Sequence, residues 1–449
     1  MTHILRCLFA VAATVVALSA QPVFVQSAWA TTIERVISPG GIEAWLVKDP
    51  SVPLVAMNFS FLGGASQDPE GKGGTAYMVS SMLDEGAGPL DSRAYHQQLE
   101  ENAVELSFSV TQDYFQGSIK LLRDRQEKSF ELLRLALNEA KFETDATVRV
   151  RDQVMAGLRR ETTDPGSIAT RTWWSTAFAG HPYAQSNNGT LISVPTITED
   201  DMRSYARRVF TRANLKVAAV GDIDAATLGK TLDRVFGSLP ATGELRSVPD
   251  IAIHDTGRRI VSLLSVPQAV IRMGGSGVAR KDPDFMAAYL VNHILGGGSF
   301  TSRLYDQVRE KRGLVYGVSS YLLNLRHTSL FMVSTQTGAD QTREALELIE
   351  QEIRVMRDDG PTEAELAKAK AYLKGAYALN FDTSTKIASM LLQIQIDDVG
   401  IDYINRRNGL IDAVTIEDVR RVAKRLAKDG MLTAVVGQPK NLASKAPGG

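Results

Sequence analysis

The stretch TITEDDMRSYARRVFTRANLKVAAVGD, residues 196–222, decides the fold because a second copy of its pattern lies near the end of the chain. The copy is VTIEDVRRVAKRLAKDGMLTAVVGQ, residues 414–438. In each copy a threonine precedes an acidic first turn, a basic helix with apolar spacing follows, and a Val/Ala-rich strand ends in glycine. The capping threonine precedes that glycine by 23 residues in the first copy and by 22 in the second. This recurrence indicates an internal duplication.

The duplication divides the chain into two halves of similar organisation. The segment LPATGELRSVPDIAIHDTGRR, residues 239–259, is rich in Pro, Gly and charge, which is typical of a linker. The first half begins with the strand-like runs EAWLVKD and VPLVAMNFSFLGG, residues 43–49 and 52–64, and the second begins with IVSLLS and AVIRMGGSGV, residues 260–265 and 269–278. Each half continues through helices, and Thr362 with Glu365 forms a capping box for one of them. We therefore expect an α+β fold with two duplicated domains, 31–238 and 260–449, each a mainly antiparallel sheet with helices packed on one face.

The first thirty residues form a predicted signal peptide. One firm positive charge precedes the apolar run CLFAVAATVVALSA, and Ala28 and Ala30 give the small-residue pattern of a cleavage site. We expect cleavage after Ala30, with Ala20 as the second choice and an uncleaved anchor as the alternative. Cleavage removes Cys7, the only cysteine, so export without disulfides favours the bacterial periplasm. No later run is apolar enough to span a membrane. A formal charge of −1 does not favour nucleic-acid binding.

Residue types that carry chemistry are sparse in the expected mature chain. None of its five histidines lies three to five residues from another, so no helix can carry a local zinc pair. The most distinctive stretch is NHILGGGSFTSRLYDQVREKRGLVYGVSSY, residues 292–321, where three glycines precede a basic helix and a strand. Arg309 and Tyr316 lie seven residues apart across the turn at Gly313. From spacing alone, a solvated basic helix beside an aromatic strand residue explains this stretch equally well.

This stretch resembles the second-domain signature of the pitrilysin/insulinase family of zinc peptidases, the inverted zincins. The resemblance covers nearly the whole mature chain and includes GGASQDPEGKGGTAYMVSSML and AVVGD in the first half. It implies that two related α+β domains form one half of a clam-shell, and that two such halves, on one chain or two, enclose a peptide. One half carries zinc, and the other contributes an arginine and a tyrosine that reach the substrate. Arg309 and Tyr316 match that pair.

The same resemblance implies that the zinc site of this chain is degenerate. Catalytic members carry H-x-x-E-H where this chain has Tyr77, Ser80 and Ser81. The third ligand, a downstream glutamate, aligns near Gly157, and Glu161 lies one turn too late. The resemblance therefore implies that this chain binds no cofactor itself, and that zinc is held by a partner subunit.

Two interpretations of the function stay open. The first is a periplasmic zinc-less subunit, inactive alone, which supplies Arg309 and Tyr316 in trans to a zinc-bearing homologous subunit that hydrolyses peptides. The second is a non-catalytic scaffold or peptide-binding member of the family. We expect the glycines 296–298 (Gly296, Gly297 and Gly298) to shape the substrate path, with a tight helix–helix turn as an equal alternative. The alternating strand ELSFSV, residues 105–110, matches the family's substrate-receiving edge strand, although a purely structural role is favoured here.

Overall fold

The computed structural model describes residues 32–445, and the predicted signal peptide lies outside the described residues. Residues 34–445 belong to one compact unit with two large sheets. Within the described part of the chain, no helix combines the length and the apolar character that crossing a membrane requires.

The first sheet has six strands in the order β1-β2-β8-β3-β7-β6. Its strands are β1 (Glu34–Ile37), β2 (Glu43–Lys48), β3 (Leu54–Leu62), β6 (Glu105–Val110), β7 (Tyr114–Leu122) and β8 (Leu215–Gly221), and a small hairpin joins β4 (Gly86–Ala87) to β5 (Leu90–Asp91). Only β2 and β8 pair in parallel; the other neighbours are antiparallel.

The helices of the first half pack mainly on one face of this sheet. They are α1 (Thr75–Ser80), α2 (Ser92–Glu101), α3 (Gln126–Asn138), α4 (Thr144–Glu161), α5 (Pro165–Ala177), α6 (Glu199–Val209) and α7 (Ala225–Phe236). Phe59 and Phe61 of β3 meet Phe236 of α7 edge to face, with ring centroids 5.5 and 6.5 Å away. Met78 of α1 and Phe130 of α3 belong to the same buried cluster. This apolar face supplies the main core of the first half.

The second sheet has five strands in the order β11-β12-β10-β13-β9. Its strands are β9 (Arg259–Leu263), β10 (Gln268–Ser276), β11 (Val315–Asn324), β12 (Ser329–Gly338) and β13 (Leu432–Gly437), and only β9 and β13 pair in parallel. The helices that follow are α8 (Phe285–Asn292), α9 (Thr342–Asp359), α10 (Glu363–Tyr377), α11 (Ser384–Asp397), α12 (Tyr403–Ala413) and α13 (Ile416–Ala423).

The two copies of the predicted helix–strand unit adopt the same structure. Thr198 and Asp201 form a capping box at the start of α6, and Thr415 and Asp418 form one at the start of α13. Each helix leads into an interior strand of its sheet, β8 or β13, and each strand ends in a glycine with positive φ. The local signals therefore predicted these units correctly, because capping and strand periodicity depend on neighbouring residues.

Helix α5 belongs to the first half in sequence but packs on the second sheet. It contacts β10 and β13, and the indole N–H of Trp173 donates to the buried carbonyl of Leu432 at 3.0 Å. Gly274 of β10 leaves room for this ring, since a Cβ there would lie 2.1 Å from Trp173 Cζ2. A helix of the first half thus fills a face of the second sheet.

Helix α11 does the converse, since it belongs to the second half in sequence but packs on the first sheet. It contacts β3 and β8, and the side-chain amide of Gln395 donates to the carbonyl of Val217 at 2.8 Å. Asn58 of β3 also donates to Ser389 Oγ at 2.8 Å. Because both faces of the sheet are covered, every residue of β3 from position 55 to 61 is buried.

The predicted α+β class with two mainly antiparallel sheets is confirmed. The structure adds that each sheet is covered on its second face by a helix of the other half, α11 on the first sheet and α5 on the second. The limits placed at 31–238, 239–259 and 260–449 stay a prediction. Residues 240–258 contain no helix or strand, but they are held by side chains of the first half. Gln67 exchanges two hydrogen bonds with the backbone of Arg246, and His181 Nε2 lies 3.0 Å from the carbonyl of Pro249.

Candidate functional site

The positions of the zinc motif lie in and just after α1. The hydroxyls of Ser80 and Ser81 both donate to the carbonyl of Tyr77, at 2.8 and 3.0 Å. Both hydrogen bonds therefore stay within the last turn of their own helix. A phenol and two neutral hydroxyls lack the imidazole or thiolate donors that zinc prefers. Residues 32–445 contain no group of three or more His, Cys, Asp or Glu placed to hold a metal. The side chains at these positions do not fit zinc.

A cavity of about 190 Å³ lies between α1 and α4 and brings the aligned positions together. Tyr77 and Ser81 line it from one side, and Gly157 and Glu161 line it from the other, whereas Ser80 does not take part. Glu161 supplies the acidic side chain of this lining and pairs with Arg171 at 3.2 Å. The cavity therefore lies where the resemblance places the zinc site, and its lining lacks the ligands of that site.

A buried carboxylate stabilises the start of α1 from outside the helix. Asp68 accepts the backbone N–H groups of Gly74 and Ala76, each at 2.7 Å, and Gly74 has a φ of +95°. Burial raises the pKa of Asp68 to about 7, although the two N–H groups favour the charged form. This contact could not be predicted from the sequence, because a residue six positions before Gly74 lies outside the usual N-cap position.

The predicted pair of the second half flanks the turn before the edge strand β11. Arg309 lies in the π-helical segment Tyr305–Glu310, and its exposed guanidinium is 3.8 Å from the carboxylate of Glu310. Gly313 has a φ of +62° and ends this segment. Tyr316 is 82 % exposed, and within residues 32–445 its hydroxyl makes no hydrogen bond. Packing of this chain therefore does not account for a large aromatic side chain at position 316.

Tyr316 lines an open cavity of about 530 Å³ whose lining does not include Arg309. The cavity lies between the second sheet and the start of the exchanged helix α5, with Arg272 and Asp164 in its lining. Phe300, which is 76 % exposed, also lines it and packs edge to face on Tyr305 at 5.1 Å. The sequence did not single out these neighbours, because only the fold brings β10, α5 and the segment after the glycines together.

The glycine run follows α8 and packs closely against β11. A Cβ on Gly296 would lie 2.6 Å from Ser320 Oγ, and one on Gly297 or Gly298 would lie 2.6 or 2.7 Å from atoms of its own turn. Glycine at these positions therefore permits the close approach of the π-helical segment His293–Gly297 to the strand. A role of the run in shaping a substrate path stays a prediction.

An ion pair fixes the segment between the glycines and Arg309 to α10. Arg303 donates to both carboxylate oxygens of Glu365, at 2.6 and 2.7 Å, and to the carbonyl of Gly360 at 3.1 Å. Burial acts to raise the pKa of Glu365, but hydrogen bonds from Arg303 and Thr362 outweigh it and lower the pKa to about 2. The sequence indicated Arg303 only as one cation of a basic helix. The structure shows that it has a specific ion-pair partner, Glu365.

The predicted strand ELSFSV is β6, which forms one edge of the first sheet. Among the described residues it pairs with β7 alone, and its residues alternate between exposed and partly buried. One backbone edge is therefore open, as peptide addition to a sheet requires. Whether a substrate pairs with it stays a prediction.

Comparison with known proteins agrees with this arrangement. A family model described as "Insulinase (Peptidase family M16)" matches residues 44–190, and one described as "Peptidase M16 inactive domain" matches residues 196–373. A Helicobacter pylori protein named "Non-peptidase homolog YmxG" is 26% identical over 335 residues, which cover 74% of this chain and 77% of that protein. A Streptomyces coelicolor protein named "Uncharacterized zinc protease SCO5738" is 24% identical over 444 residues, covering 91% and 90% of the two chains.

The solved structures include a crystal structure described as the peptidase M16 inactive domain from Pseudomonas fluorescens. It matches with a TM-score of 0.85 and 26% identity, over 93% of this chain and 100% of that chain. The two family models together span most of the described residues, and the two-sheet fold agrees with them. The chain therefore belongs to the insulinase, or M16, peptidase family, as a member without the zinc motif.

Proposed function

We propose that this chain is the zinc-less subunit of a two-chain periplasmic metallopeptidase. It would pair with a zinc-bearing homologous subunit that hydrolyses peptides, and cleavage after Ala30 would release it into the periplasm. The observation that carries the proposal is the exposed Tyr316, whose hydroxyl makes no hydrogen bond within residues 32–445. A side chain that the fold does not use, at the family's substrate-contacting position, supports a role toward another molecule.

The chemistry of the pair suits peptide hydrolysis on a partner. The Tyr316 hydroxyl can donate a hydrogen bond to the scissile carbonyl oxygen as negative charge develops on it. One such donor is worth roughly 3–4 kcal/mol in the transition state. Arg309 keeps its charge at every physiological pH and can bind a substrate carbonyl or a C-terminal carboxylate. Its exposed contact with Glu310 is weak enough to be exchanged for such a ligand.

The second candidate function is a non-catalytic scaffold or peptide-binding member. One observation favours it, since Arg309 does not line the cavity that contains Tyr316. In that case the two side chains need not act on one substrate, and the retained pair would reflect binding rather than catalysis.

The test is co-expression of this chain with a zinc-bearing relative, followed by peptidase assays on the separate chains and on the mixture. We expect activity only in the mixture. Tyr316→Phe should lower kcat roughly 100- to 1,000-fold, the effect of removing one oxyanion donor, while the two chains still co-elute. Tyr321→Phe, on the same strand, serves as the matched control and should change kcat less than twofold.

Three results separate the alternatives. Unchanged activity of Tyr316→Phe in a co-eluting pair would refute catalysis in trans. Co-elution without any activity would support the scaffold. Zinc bound in a one-to-one ratio by the purified chain alone would contradict the zinc-less assignment.

A further inference from the structure

The second half contains a cavity at the position equivalent to the degenerate zinc cavity of the first half. The sequence YMVSSML, residues 77–83, has its counterpart in YLVNHIL, residues 289–295. The positions of Tyr77 and Ser81 in this alignment correspond to Tyr289 and His293. Both residues of each pair line a cavity, the first about 190 Å³ in volume and the second about 660 Å³.

The opposite wall of each cavity is also formed by equivalent helices of the two halves, α4 in the first and α10 in the second. Gly157 and Leu158 of α4 line the first cavity, and Ala376 and Tyr377 of α10 line the second. The two helices also begin 219 residues apart, at Thr144 and Glu363, and both lining pairs keep this offset, so the same face of the equivalent helix points into each cavity. Duplication has therefore produced two related cavities, and only the first corresponds to the zinc motif.

The second cavity is cationic. Its lining contains Arg407 and Lys386 and no acidic side chain, and Lys386 pairs with Asp382 outside the lining at 2.7 Å, which leaves Arg407 as the cation to be balanced. Arg407 is 6 % exposed and donates to the carbonyl of Leu373 and to Asn408 Oδ1, both at 3.2 Å. No carboxylate of residues 32–445 lies within ion-pair distance of it. A buried guanidinium without a counter-ion is costly, so an anion that reaches it would be bound favourably.

Aromatic rings surround this cation. The Arg407 guanidinium lies 4.0 Å from the ring centroid of Tyr377 and 5.8 Å from that of Tyr289. The Tyr377 hydroxyl is buried and has no hydrogen-bond partner among the described residues. Burial raises the pKa of Tyr377 to about 12, so the hydroxyl stays protonated and able to donate. Tyr377 therefore contributes a second unpaired donor to the residues that line the cavity.

The remaining wall suits an apolar or planar group. His293 stacks on Tyr372 with ring centroids 5.1 Å apart and planes at 26°. Burial lowers the pKa of His293, which keeps the imidazole neutral at neutral pH. A volume of about 660 Å³ lies within the usual range of roughly 300–1,000 Å³ for small-molecule sites.

We propose that this cavity binds a carboxylate-bearing ligand with an aromatic or aliphatic body. Arg407 binds the carboxylate, the Tyr377 hydroxyl donates to it, and the rings of Tyr289, His293 and Tyr372 contact the body. A free aromatic acid and the C-terminal residue of a peptide share this chemistry. The site is separate from Tyr316 and does not depend on a zinc-bearing partner.

The test measures binding of N-acetyl-phenylalanine to the purified mature chain by calorimetry, with N-acetyl-phenylalaninamide as the uncharged analogue. We expect the acid to bind at least tenfold more tightly than the amide, because only the acid forms the charge-assisted bond to Arg407. A tetrapeptide ending in phenylalanine, with and without C-terminal amidation, distinguishes the sources. Tighter binding of the peptide acid than of N-acetyl-phenylalanine indicates a peptide terminus, and the reverse order indicates a free acid.

Variants locate the binding. Arg407→Met should weaken binding of the acid at least tenfold, and Tyr377→Phe about threefold or more. Arg406→Met, which changes the exposed neighbour on the same helix, is the control and should stay within twofold of the unmodified chain. Equal affinity for acid and amide, no binding of either acid probe, or an unchanged affinity of Tyr377→Phe would overturn the proposal. Tyr377→Phe keeps the test decisive if Arg407→Met does not fold.

Discussion

Replacing Trp173 by phenylalanine tests whether the exchanged helices join the two halves into one cooperative unit. The indole of Trp173 is fully buried on the second sheet and donates to the carbonyl of Leu432 at 3.0 Å. Phenylalanine removes this hydrogen bond, while Leu432 stays paired with Gly274 in the β10–β13 ladder, so the lost bond costs about 0.5–1.5 kcal/mol. The smaller ring also removes apolar contacts and leaves a void, which adds about 1–2 kcal/mol. We therefore expect Trp173→Phe to lower the free energy of unfolding by about 2–3 kcal/mol.

The assay combines guanidinium unfolding, followed by circular dichroism, with hydrogen exchange of peptides from β3 and from β12. Because α5 connects the first half to the second sheet and α11 makes the reverse connection, both strands should lose protection together, in one transition. Lost protection of β12 with unchanged protection of β3 would refute this coupling.

The control is Trp45→Phe, the same change of ring at a buried site in the first half. The Trp45 indole donates to the carboxylate of Glu43 at 3.2 Å, and this carboxylate stays accessible to water. Since water can replace the lost bond, we expect a cost of only about 1–2 kcal/mol. A cost equal to that of Trp173→Phe would show that the buried carbonyl contributes little.

Two further changes test the packing of the exchanged helix and the attachment of the segment that leads to the predicted pair. Gly274→Ala places a Cβ 2.1 Å from Trp173 Cζ2, so overpacking should cost about 3 kcal/mol and lower the urea midpoint; a midpoint equal to that of the unmodified chain would contradict the close approach. Glu365 has a lowered pKa of about 2, so its stabilising effect is complete above about pH 4.5 and is lost as the pH falls toward 2. Glu365→Gln should therefore lower stability at pH 7 by about 2 kcal/mol, after allowance for solvent screening of the pair with Arg303, and should flatten the decrease in Tm between pH 4.5 and 2.5. Parallel pH profiles of the two proteins would contradict this assignment.

Local signals were sufficient for the elements of this fold. The threonine caps of α6, α10 and α13 and the strands β2, β3, β9 and β10 lie where the sequence places them. Each of these features depends on residues close in sequence, such as a threonine three positions before an acidic residue. The duplication was visible for the same reason, because both copies keep the local pattern.

The degenerate motif was also a property of the sequence, but its surroundings were not. The residues Tyr77, Ser80 and Ser81 cannot form a zinc site of the family's type. The structure adds that both serine hydroxyls donate hydrogen bonds to the carbonyl of Tyr77. The capping of α1 by Asp68 could not be predicted, since the carboxylate reaches the helix through a loop. Likewise, Arg272 and Phe300 come close to Tyr316 only through the fold.

The sequence by itself determined the family and the loss of the zinc ligands, because both depend on which residues occupy short motifs. It also determined the two halves, because the repeated helix–strand pattern is local. Only the tertiary structure showed that α5 packs on the second sheet and α11 on the first, because local sequence patterns do not specify which sheet an apolar helix face covers. It also decided that Arg407, far along the chain from the glycine run, lies among tyrosines in a cavity without a carboxylate. Side chains distant in sequence meet only when packing of the whole unit brings them together, and that packing is a property of all the elements at once.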